Sequence, residues 1–492
     1  MKAIDGAREA VAAAASDDRA RMRYAWRVCS VTSLGLVLIG VAGSTLNVAL
    51  PAVVRHFRVG AFESGWILLA FLLVNTASLV FFGRVADLLG RRGVYLAGFA
   101  LFTAASLLAG LSPDVWVLVA MRVVQAVGAA MILANGTVII TDAFPPERLS
   151  QGMGVYVGTL SVAQLAGPTL GGLIAETAGW QWIFWVNVPA GLVALVWGAM
   201  TLRRMPRGPR RPVDALGNAL LFAALSALLL ALSEAGSAGW SSPVVIGGAA
   251  VFVVLVPVIV LVERRAAHPV LDLRLLGGRL AACANLASFC NALARSALIL
   301  VVALYFQAVR GLDAFAAGLS VLPLPVGMAL ASPLAGVLGR RVSSYALSVG
   351  GALLTAAGLG VLMSSAGPAT PYWEVGLGLA VAGCGSGAFM TGNTTEVMRA
   401  LPRGSLGVVN GFRMMIMNMG IVISVGLSLS VLTGSVDPRL RDQVGAGTLS
   451  SLSPVALGQL MQGFQRTYAL LFAVALCGLA LTALARTPNR LP

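Results

Sequence analysis

The chain has 492 residues, of which 58% are hydrophobic and only 11% are charged, and its mean hydropathy is +0.88. A soluble chain carries about 25% charged residues, and a single soluble core stops growing near roughly 250–300 residues. These values exclude a water-soluble enzyme, a disordered chain and a disulfide scaffold. The class that remains is a polytopic helical membrane protein.

Fourteen apolar runs are long enough to cross a bilayer, which takes about 20 residues per helix. Their approximate bounds are 28–50, 63–82, 94–112, 115–138, 152–175, 182–202, 214–233, 243–262, 280–306, 316–338, 343–363, 372–394, 405–432 and 465–486. The strands of a transmembrane barrel would alternate polar and apolar residues, and these runs do not. The predicted fold class is therefore all-α, with 14 transmembrane helices.

The formal net charge is +15, and most Lys and Arg residues fall in the loops that lie on the side of the N-terminus. The loops on the other side hold few basic residues, namely Arg55, Arg58, Arg310, Arg439, Arg441 and Arg466. By the positive-inside rule this bias predicts a multi-pass protein of the cell membrane with both termini in the cytoplasm. The basic residues are spread over several short loops, which favours contact with anionic lipid over nucleic-acid binding.

Neither a metal site nor a cofactor site is predicted. The five cysteines lie in apolar runs without metal-ligand spacing and are expected to be small packing residues. The glycine string Gly383–Gly387 sits inside an apolar run with no strand before it, so a nucleotide site is not expected. No Ser/His or Asp/His/Glu set is clustered in the spans, so we do not expect an enzyme.

Two loops form a faint internal duplicate. Residues Gly83–Arg92 and Pro333–Arg341 each follow an apolar run, contain glycine and close with paired arginines. Duplicated helical halves are typical of secondary transporters. Glycine allows a tight turn, and an aspartate there can bind backbone N–H groups or a facing arginine. A conformational switch is predicted at Gly83, Asp87, Gly90, Arg91 and Arg92, the alternative being a solvated turn that anchors the loop.

Several strings together resemble the major facilitator superfamily, in particular its fourteen-helix drug:proton antiporters. The resemblance covers the chain from about residue 30 to its C-terminus. The strings are the loop Gly83–Arg92, the fourth-helix string Arg122–Ala130, Gly158 with the antiporter string Gly167–Gly172, the string Trp180–Gly191, and His268–Leu273.

The resemblance implies two pseudo-symmetric six-helix bundles with two inserted helices. The expected divisions are a cytoplasmic tail at 1–27, a first bundle at 28–202, a basic linker at 203–213, the extra helices at 214–262, a second bundle at 280–486 and a tail at 487–492. It also implies that the bundles rock about a central cavity.

Charged and small residues inside the spans are the other candidate sites. The resemblance gives Arg122 and Gln125 a role in proton coupling, and the alternative is a buried structural arginine, since an intramembrane charge needs a partner. The antiporter helix is expected to be kinked and tightly packed, or merely close-packed. Its residues are Gly158, Gly167, Pro168, Gly171 and Gly172.

A substrate cavity is predicted beside Asn47, Arg295, Arg413 and Asn418, the alternative for the arginines being a structural, hydrogen-bonded role. Members of the family that the chain resembles usually have an acidic residue at the position where this chain has Ala42. The obvious proton carrier is therefore missing, and cationic substrates are disfavoured.

The predicted function is a secondary active exporter of small amphipathic compounds, either drugs or a self-produced metabolite, by proton antiport. The expected partners are the small molecule, protons and the lipid bilayer, without nucleic acid, and the expected state is a monomer. A dedicated exporter of an endogenous metabolite or lipid, and an uptake symporter of the same fold, stay open as alternatives.

Overall fold

The computed structural model describes residues 2–203, 215–237, 242–265, 278–365, 367, 370–401, 406–434 and 454–485. At some helical positions, including 2–16, Pro168 and Gly172, only the backbone is described. The described segments are helices and the turns between them. In chain order the helices are α1 (Lys2–Phe57), α2 (Ala61–Leu89), α3 (Arg91–Ala109), α4 (Val115–Ala143), α5 (Leu149–Thr177), α6 (Trp182–Trp185), α7 (Asn187–Thr201), α8 (Ala215–Ser237), α9 (Pro243–Arg265), α10 (Arg279–Arg310), α11 (Ala314–Ser320), α12 (Pro323–Leu338), α13 (Ser344–Ser364), α14 (Tyr372–Ala400), α15 (Leu406–Thr433) and α16 (Pro454–Leu484).

The all-helical, multi-span prediction is confirmed within these residues. Among them, 12 segments are long and apolar enough to cross a membrane. The two further predicted crossings fall on α5 and α8, so a total of 14 crossings stays a prediction. The first helix begins at Lys2 rather than near residue 28, because the Ala-rich segment before the apolar run also favours helix.

Two of the predicted crossings are pairs of consecutive helices. The α6–α7 break falls at Asn187, whose Nδ2 donates to the Ile183 carbonyl at 3.0 Å, a local bond that competes with the regular helix ladder. The α11–α12 break precedes Pro323, which has no backbone N–H to continue a helix.

The helices form two halves with the same pattern of neighbours. In the first half α1 packs on α5 and α7, while α4 packs on α2 and α3. In the second half α10 packs on α15 and α16, while α14 packs on α12 and α13. The halves meet mainly where α2 contacts α15 and where α5 contacts α12, a pair of contacts that follows the same symmetry.

The α8–α9 hairpin lies outside both halves. Helix α8 buries one stripe, which includes Leu221, Ala224 and Leu225, and contacts α2 and α15. Helix α9 packs chiefly on α8, and its mean hydropathy of 3.0 combined with 11% burial indicates a surface that faces lipid.

The ends of the bundle are named here by their loops. The basic end carries the turn at Gly90 between α2 and α3, the α4–α5 turn at 144–148 and the α12–α13 turn at 339–343. The opposite end carries the α3–α4 and α10–α11 turns. Gly90 has a φ of 103°, which a residue with a side chain rarely adopts, so the α2–α3 turn requires glycine.

Candidate gate and substrate interface

Helices α2 and α15 approach closely at the basic end because both carry glycine there. A Cβ on Gly83 would overlap the carbonyl oxygen of Gly407, and a Cβ on Gly407 would lie 2.5 Å from that of Gly83. Further along the same contact, a Cβ on Gly411 would lie 2.5 Å from the carbonyl oxygen of Leu79. A side chain at these positions would therefore separate the two halves.

A charged network stands beside this contact. The Arg91 Nη2 donates to Asp87 Oδ1 at 2.9 Å, and the Arg91 Nη1 donates to Asp142 Oδ2 at 2.5 Å. Asp87 also faces the first described turn of α15, where it bonds the backbone of Val408. Both Asp87 oxygens would lie 2.7 Å from a Cβ on Gly407. A buried carboxylate of the first half thus meets the electropositive start of a helix of the second half.

Arg92 does not join this network. Its Nη2 donates to the carbonyl of Ala199 at 2.8 Å, in the last turn of α7. Within the predicted switch, the structure therefore brings Gly83, Asp87 and Arg91 together at the contact between the halves. It places Gly90 in the turn, and the Arg92 side chain of α3 against α7 of its own half. The prediction of a loop from Gly83 was wrong, because α2 continues to Leu89 and only Gly90 separates it from α3.

Helices α5 and α12 make the matching close contact. A Cβ on Gly154 would overlap the carbonyl oxygen of Ser332 and lie 2.9 Å from the Gly336 Cα. One turn further along α5, a Cβ on Gly158 would lie 3.1 Å from the ring of Pro333. Gly158 and the second copy of the loop motif therefore belong to one contact between the halves.

The contacts between the halves are distributed unevenly along the bundle. Among the described hydrogen bonds and glycine contacts, those that join the halves lie at the basic end or near the middle. At the basic end Arg399 donates to the Pro146 carbonyl, while the middle holds the bond from Asn418 to Thr76. The described part of the molecule is thus closed at its basic end.

Gly167 and Gly171, the antiporter glycines farther from the basic end, pack inside the first half and not between the halves. A Cβ on Gly171 would lie 2.6 Å from the Thr45 carbonyl oxygen of α1, and one on Gly167 would overlap the Ser44 hydroxyl. The backbone of α5 stays helical through Pro168 and Gly172, whose side-chain surroundings lie outside the described residues. The α1–α5 packing therefore depends on the small residues.

Gly171→Ala should destabilise the protein by about 1–3 kcal/mol, because a methyl group meets backbone that cannot move aside easily. The measurement is the thermal unfolding of the purified protein. Gly43→Ala is the matched control, since a Cβ at Gly43 on α1 has no atom within 4 Å and Ala favours helix. A melting temperature of Gly171→Ala equal to that of Gly43→Ala would contradict the prediction.

Arg122 is buried in a network confined to the first half. Its Nη1 donates to Gln125 Oε1 at 2.5 Å, its Nε donates to the Ile67 carbonyl at 3.3 Å, and its guanidinium lies 4.2 Å from the Phe71 ring centroid. Gln125 in turn donates to the Ser106 hydroxyl at 2.8 Å. The network joins α2, α3 and α4, and an arginine 2% exposed is stabilised there without an ion pair among the described residues.

Asparagines bond across the interface between the halves. Asn418 of α15 donates to the Thr76 hydroxyl at 3.1 Å and to Asn75 Oδ1 at 3.4 Å. Asn410, which lies eight residues before Asn418 on α15, donates to the Ala134 carbonyl of α4 at 2.9 Å. Asn418 is therefore at the interface between the halves, whereas Asn47 is exposed on α1 toward the opposite end.

The two deep arginines of the second half also face the first half. Arg295 Nη1 lies 3.5 Å from Gln164 Oε1 of α5, near the middle of both helices. Arg413 Nη2 donates to the Thr394 hydroxyl of α14 at 2.5 Å and interacts electrostatically with Tyr156 of α5. The two guanidinium groups have different partners and lie at different depths.

Several residues of this interface carry little signal in the sequence. Asp142 ends an apolar run and gave little signal on its own, and Gly154 and Gly407 looked like ordinary small residues of the spans. The pair Asn75 and Thr76 is the one signal that could have been used, since adjacent polar residues are rare in an apolar run. The His268–Leu273 string and residues 204–214 of the linker lie outside the described residues.

Comparison with known proteins decides the family. The family model of the Major Facilitator Superfamily matches residues 32–425. The chain belongs to this superfamily. Because the members of this superfamily are transporters, the chain is a membrane transporter and not an enzyme, as its sequence predicted.

Curated members of the superfamily extend the comparison. The Multidrug resistance protein Stp of Mycobacterium tuberculosis is 32% identical over 424 residues, which cover 84% of this chain and 78% of that protein. The Tetracenomycin C resistance and export protein of Streptomyces glaucescens is 28% identical, over 87% of this chain and 80% of that protein. The predicted resemblance to drug-efflux transporters is confirmed at this level.

Solved structures agree with the fold. The human organic anion transporter MFSD10 superposes with a TM-score of 0.65 at 18% identity and covers 93% of this chain and 99% of that one. The proton:xylose symporter XylE gives a TM-score of 0.60 at 13% identity, over 92% and 95% of the two chains. At these sequence identities, the similarity to both solved structures concerns the fold alone.

Proposed function

We propose that the protein is a secondary active exporter of small amphipathic compounds that works by alternating access. One observation supports it above all: the two symmetric contacts, α2 with α15 and α5 with α12, close the bundle at the basic end through glycines. Contacts between small residues have little side-chain interlocking and can separate as rigid surfaces. We infer that they are the closed inner gate of an outward-facing state.

The proposed orientation in the membrane, and with it the direction of transport, follows from the distribution of basic residues over the loops. The basic end carries the basic loops, and we propose that it faces the cytoplasm together with both termini. A reporter fused to the C-terminus of the full chain should be active on the cytoplasmic side. Activity on the outer side would remove both the orientation and the export direction.

We further propose that export is coupled to inward proton flow. The relatives named for drug resistance and export support a compound that leaves the cell, and the antiporter glycines of α5 support exchange over symport. The experiment measures efflux of a panel of dyes and antibiotics from cells with and without a protonophore. Efflux that continues unchanged after protonophore addition would remove the proton coupling and leave the transporter assignment intact.

Arg122→Ala should abolish proton-driven efflux at normal expression while downhill exchange of the same compound across the membrane continues. The change leaves Gln125 Oε1 and the Ile67 carbonyl without their buried donor, so expression and thermal unfolding are measured in parallel. Arg55→Ala, which removes an exposed arginine at the other end of the bundle, is the control. Undiminished proton-driven efflux by Arg122→Ala would contradict the role of Arg122 in coupling.

A dedicated exporter of an endogenous metabolite or lipid is the second candidate. It is favoured by α9, whose high mean hydropathy and low burial give it a surface suited to contact with lipid. A transport profile restricted to a single compound of the producing cell would favour it over a drug exporter.

A monomer is proposed as the working unit, and the mass of the purified protein in detergent tests it.

A further inference from the structure

The interface between the halves carries buried positive charge. Arg413 is 1% exposed and Arg295 is 5% exposed, and both project from the second half toward the first. Within the described residues neither takes part in an ion pair, since the ion pairs found there involve Arg91 and Arg148. A buried guanidinium group without a counter-ion is costly in a membrane.

Arg413 has hydrogen-bond donors that the described residues leave unpaired. Its Nη2 is bonded to Thr394, but its Nε and Nη1 are buried and have no partner among the described residues. Tyr156 on the facing helix α5 interacts with it electrostatically from the first half. Buried N–H groups are nearly always paired in proteins, so two free donors on one cation indicate an acceptor that the described polypeptide does not supply.

Arg295 repeats this pattern at greater depth. Its one bond, to Gln164 across the interface, is 3.5 Å long, and its Nε is buried without a partner. With a rise of about 1.5 Å per residue, Arg413 lies about 10 Å from the basic end of α15 and Arg295 about 24 Å from that of α10. The two cations therefore mark two levels of one interface, from the inner gate to the middle.

No described carboxylate forms an ion pair with Arg413 or Arg295, and this includes the partly buried Glu396 of α14, two residues from Thr394. Asp87 and Asp142 are bound to Arg91 at the basic end, and Ala42, at the position where an acid was expected, is a buried apolar residue. The field at the middle of the interface is therefore positive. A cationic compound would be repelled there, and an anionic group would be attracted.

We propose that Arg413 and then Arg295 bind the negatively charged group of the transported compound, so that the substrates are amphipathic organic anions. This inference rests on the proposed exporter function. When the glycine contacts at the basic end separate, Arg413 is uncovered before Arg295 because it lies nearer that end. The anion first satisfies the free donors of Arg413 and then, as the inner gate closes, replaces the long bond between Arg295 and Gln164.

Two dyes of one scaffold test the proposal. Fluorescein is anionic and rhodamine 6G is cationic at neutral pH, and both share the xanthene ring system. Energised inverted membrane vesicles that contain the wild-type protein should accumulate fluorescein in preference to rhodamine 6G. Arg413→Gln should lower fluorescein uptake about tenfold or more, because charge-assisted bonds are lost, while Arg413→Lys retains part of it. Arg55→Gln, which removes an exposed arginine, should leave uptake unchanged.

Binding to the purified protein provides a second measurement that does not depend on transport. Fluorescein should raise the melting temperature of the wild-type protein and not that of Arg413→Gln, and rhodamine 6G should raise neither. A wild-type preference for rhodamine 6G, or an equal loss of both dyes in Arg413→Gln, would overturn the anion site. Vesicles that accumulate neither dye would speak against the exporter proposal, and the thermal shift would then decide the anion site alone.

Discussion

Gly83→Ala should abolish transport although it adds only one methyl group. The new Cβ would overlap the carbonyl oxygen of Gly407, so helices α2 and α15 could not approach closely enough to close the basic end. Overpacking against backbone costs about 1–3 kcal/mol, which shifts the equilibrium between the two states by about 5- to 150-fold away from the closed inner gate. The measurement is efflux together with labelling of a cysteine introduced at Val408 by a water-soluble thiol reagent.

The control for this prediction is Gly93→Ala. Gly93 lies in α3 at the same end of the bundle, and a Cβ there would have no atom within 4 Å. Both changes replace a helical glycine by alanine, so they differ in the contact alone. Gly83→Ala should transport far less than Gly93→Ala and label faster at position 408. Equal transport and equal labelling would show that α2 and α15 do not form the gate.

Asp87→Asn should also abolish transport at normal expression. The change removes the negative charge that lies between Arg91 and the start of α15, and it removes one of the two described carboxylates that pair with Arg91. Removing one partner of a buried ion pair costs about 3–5 kcal/mol, and here part of that cost falls on the closed state, in which Asp87 reaches the second half. Efflux and the labelling assay at position 408 measure the loss.

Asp313→Asn is the matched control for Asp87→Asn. Asp313 accepts a bond from the Ala316 N–H at the start of α11, and asparagine serves equally well at such a position. Asp313→Asn should transport like the wild-type protein. Wild-type efflux by Asp87→Asn would mean that the aspartate only anchors a solvated turn, the alternative that its sequence left open.

Local pairs were within reach of sequence reasoning. Arg122 and Gln125 are three residues apart, so they lie on one face of α4, and they are bonded. Asp87 and Arg91 are four residues apart and are also bonded, but they lie on either side of the Gly90 turn, at the end of α2 and the start of α3. Contacts between distant segments were not within reach. Asn418 and Thr76 bond across 342 positions, and Arg91 and Asp142 across 51, and no periodicity along one helix carries that information.

The antiporter glycines illustrate the same limit. Their spacing on α5 predicts a close helix contact but does not indicate the partner helix. Gly158 contacts α12 of the other half, whereas Gly171 contacts α1 of its own half. One motif thus serves two different interfaces, and the difference depends on depth along the helix.

By itself the sequence determined that the chain is helical and embedded in a membrane, because a bilayer requires long apolar segments with internally bonded backbone. It also determined the family and the pairing of Arg122 with Gln125 within α4. The tertiary structure alone decided which end of the bundle is closed and which helices the glycines allow to approach closely. It also decided which buried arginines keep N–H donors that have no partner among the described residues. These properties depend on how two halves of nearly equal apolar character meet, and hydropathy does not distinguish one face of a membrane helix from another once both are buried.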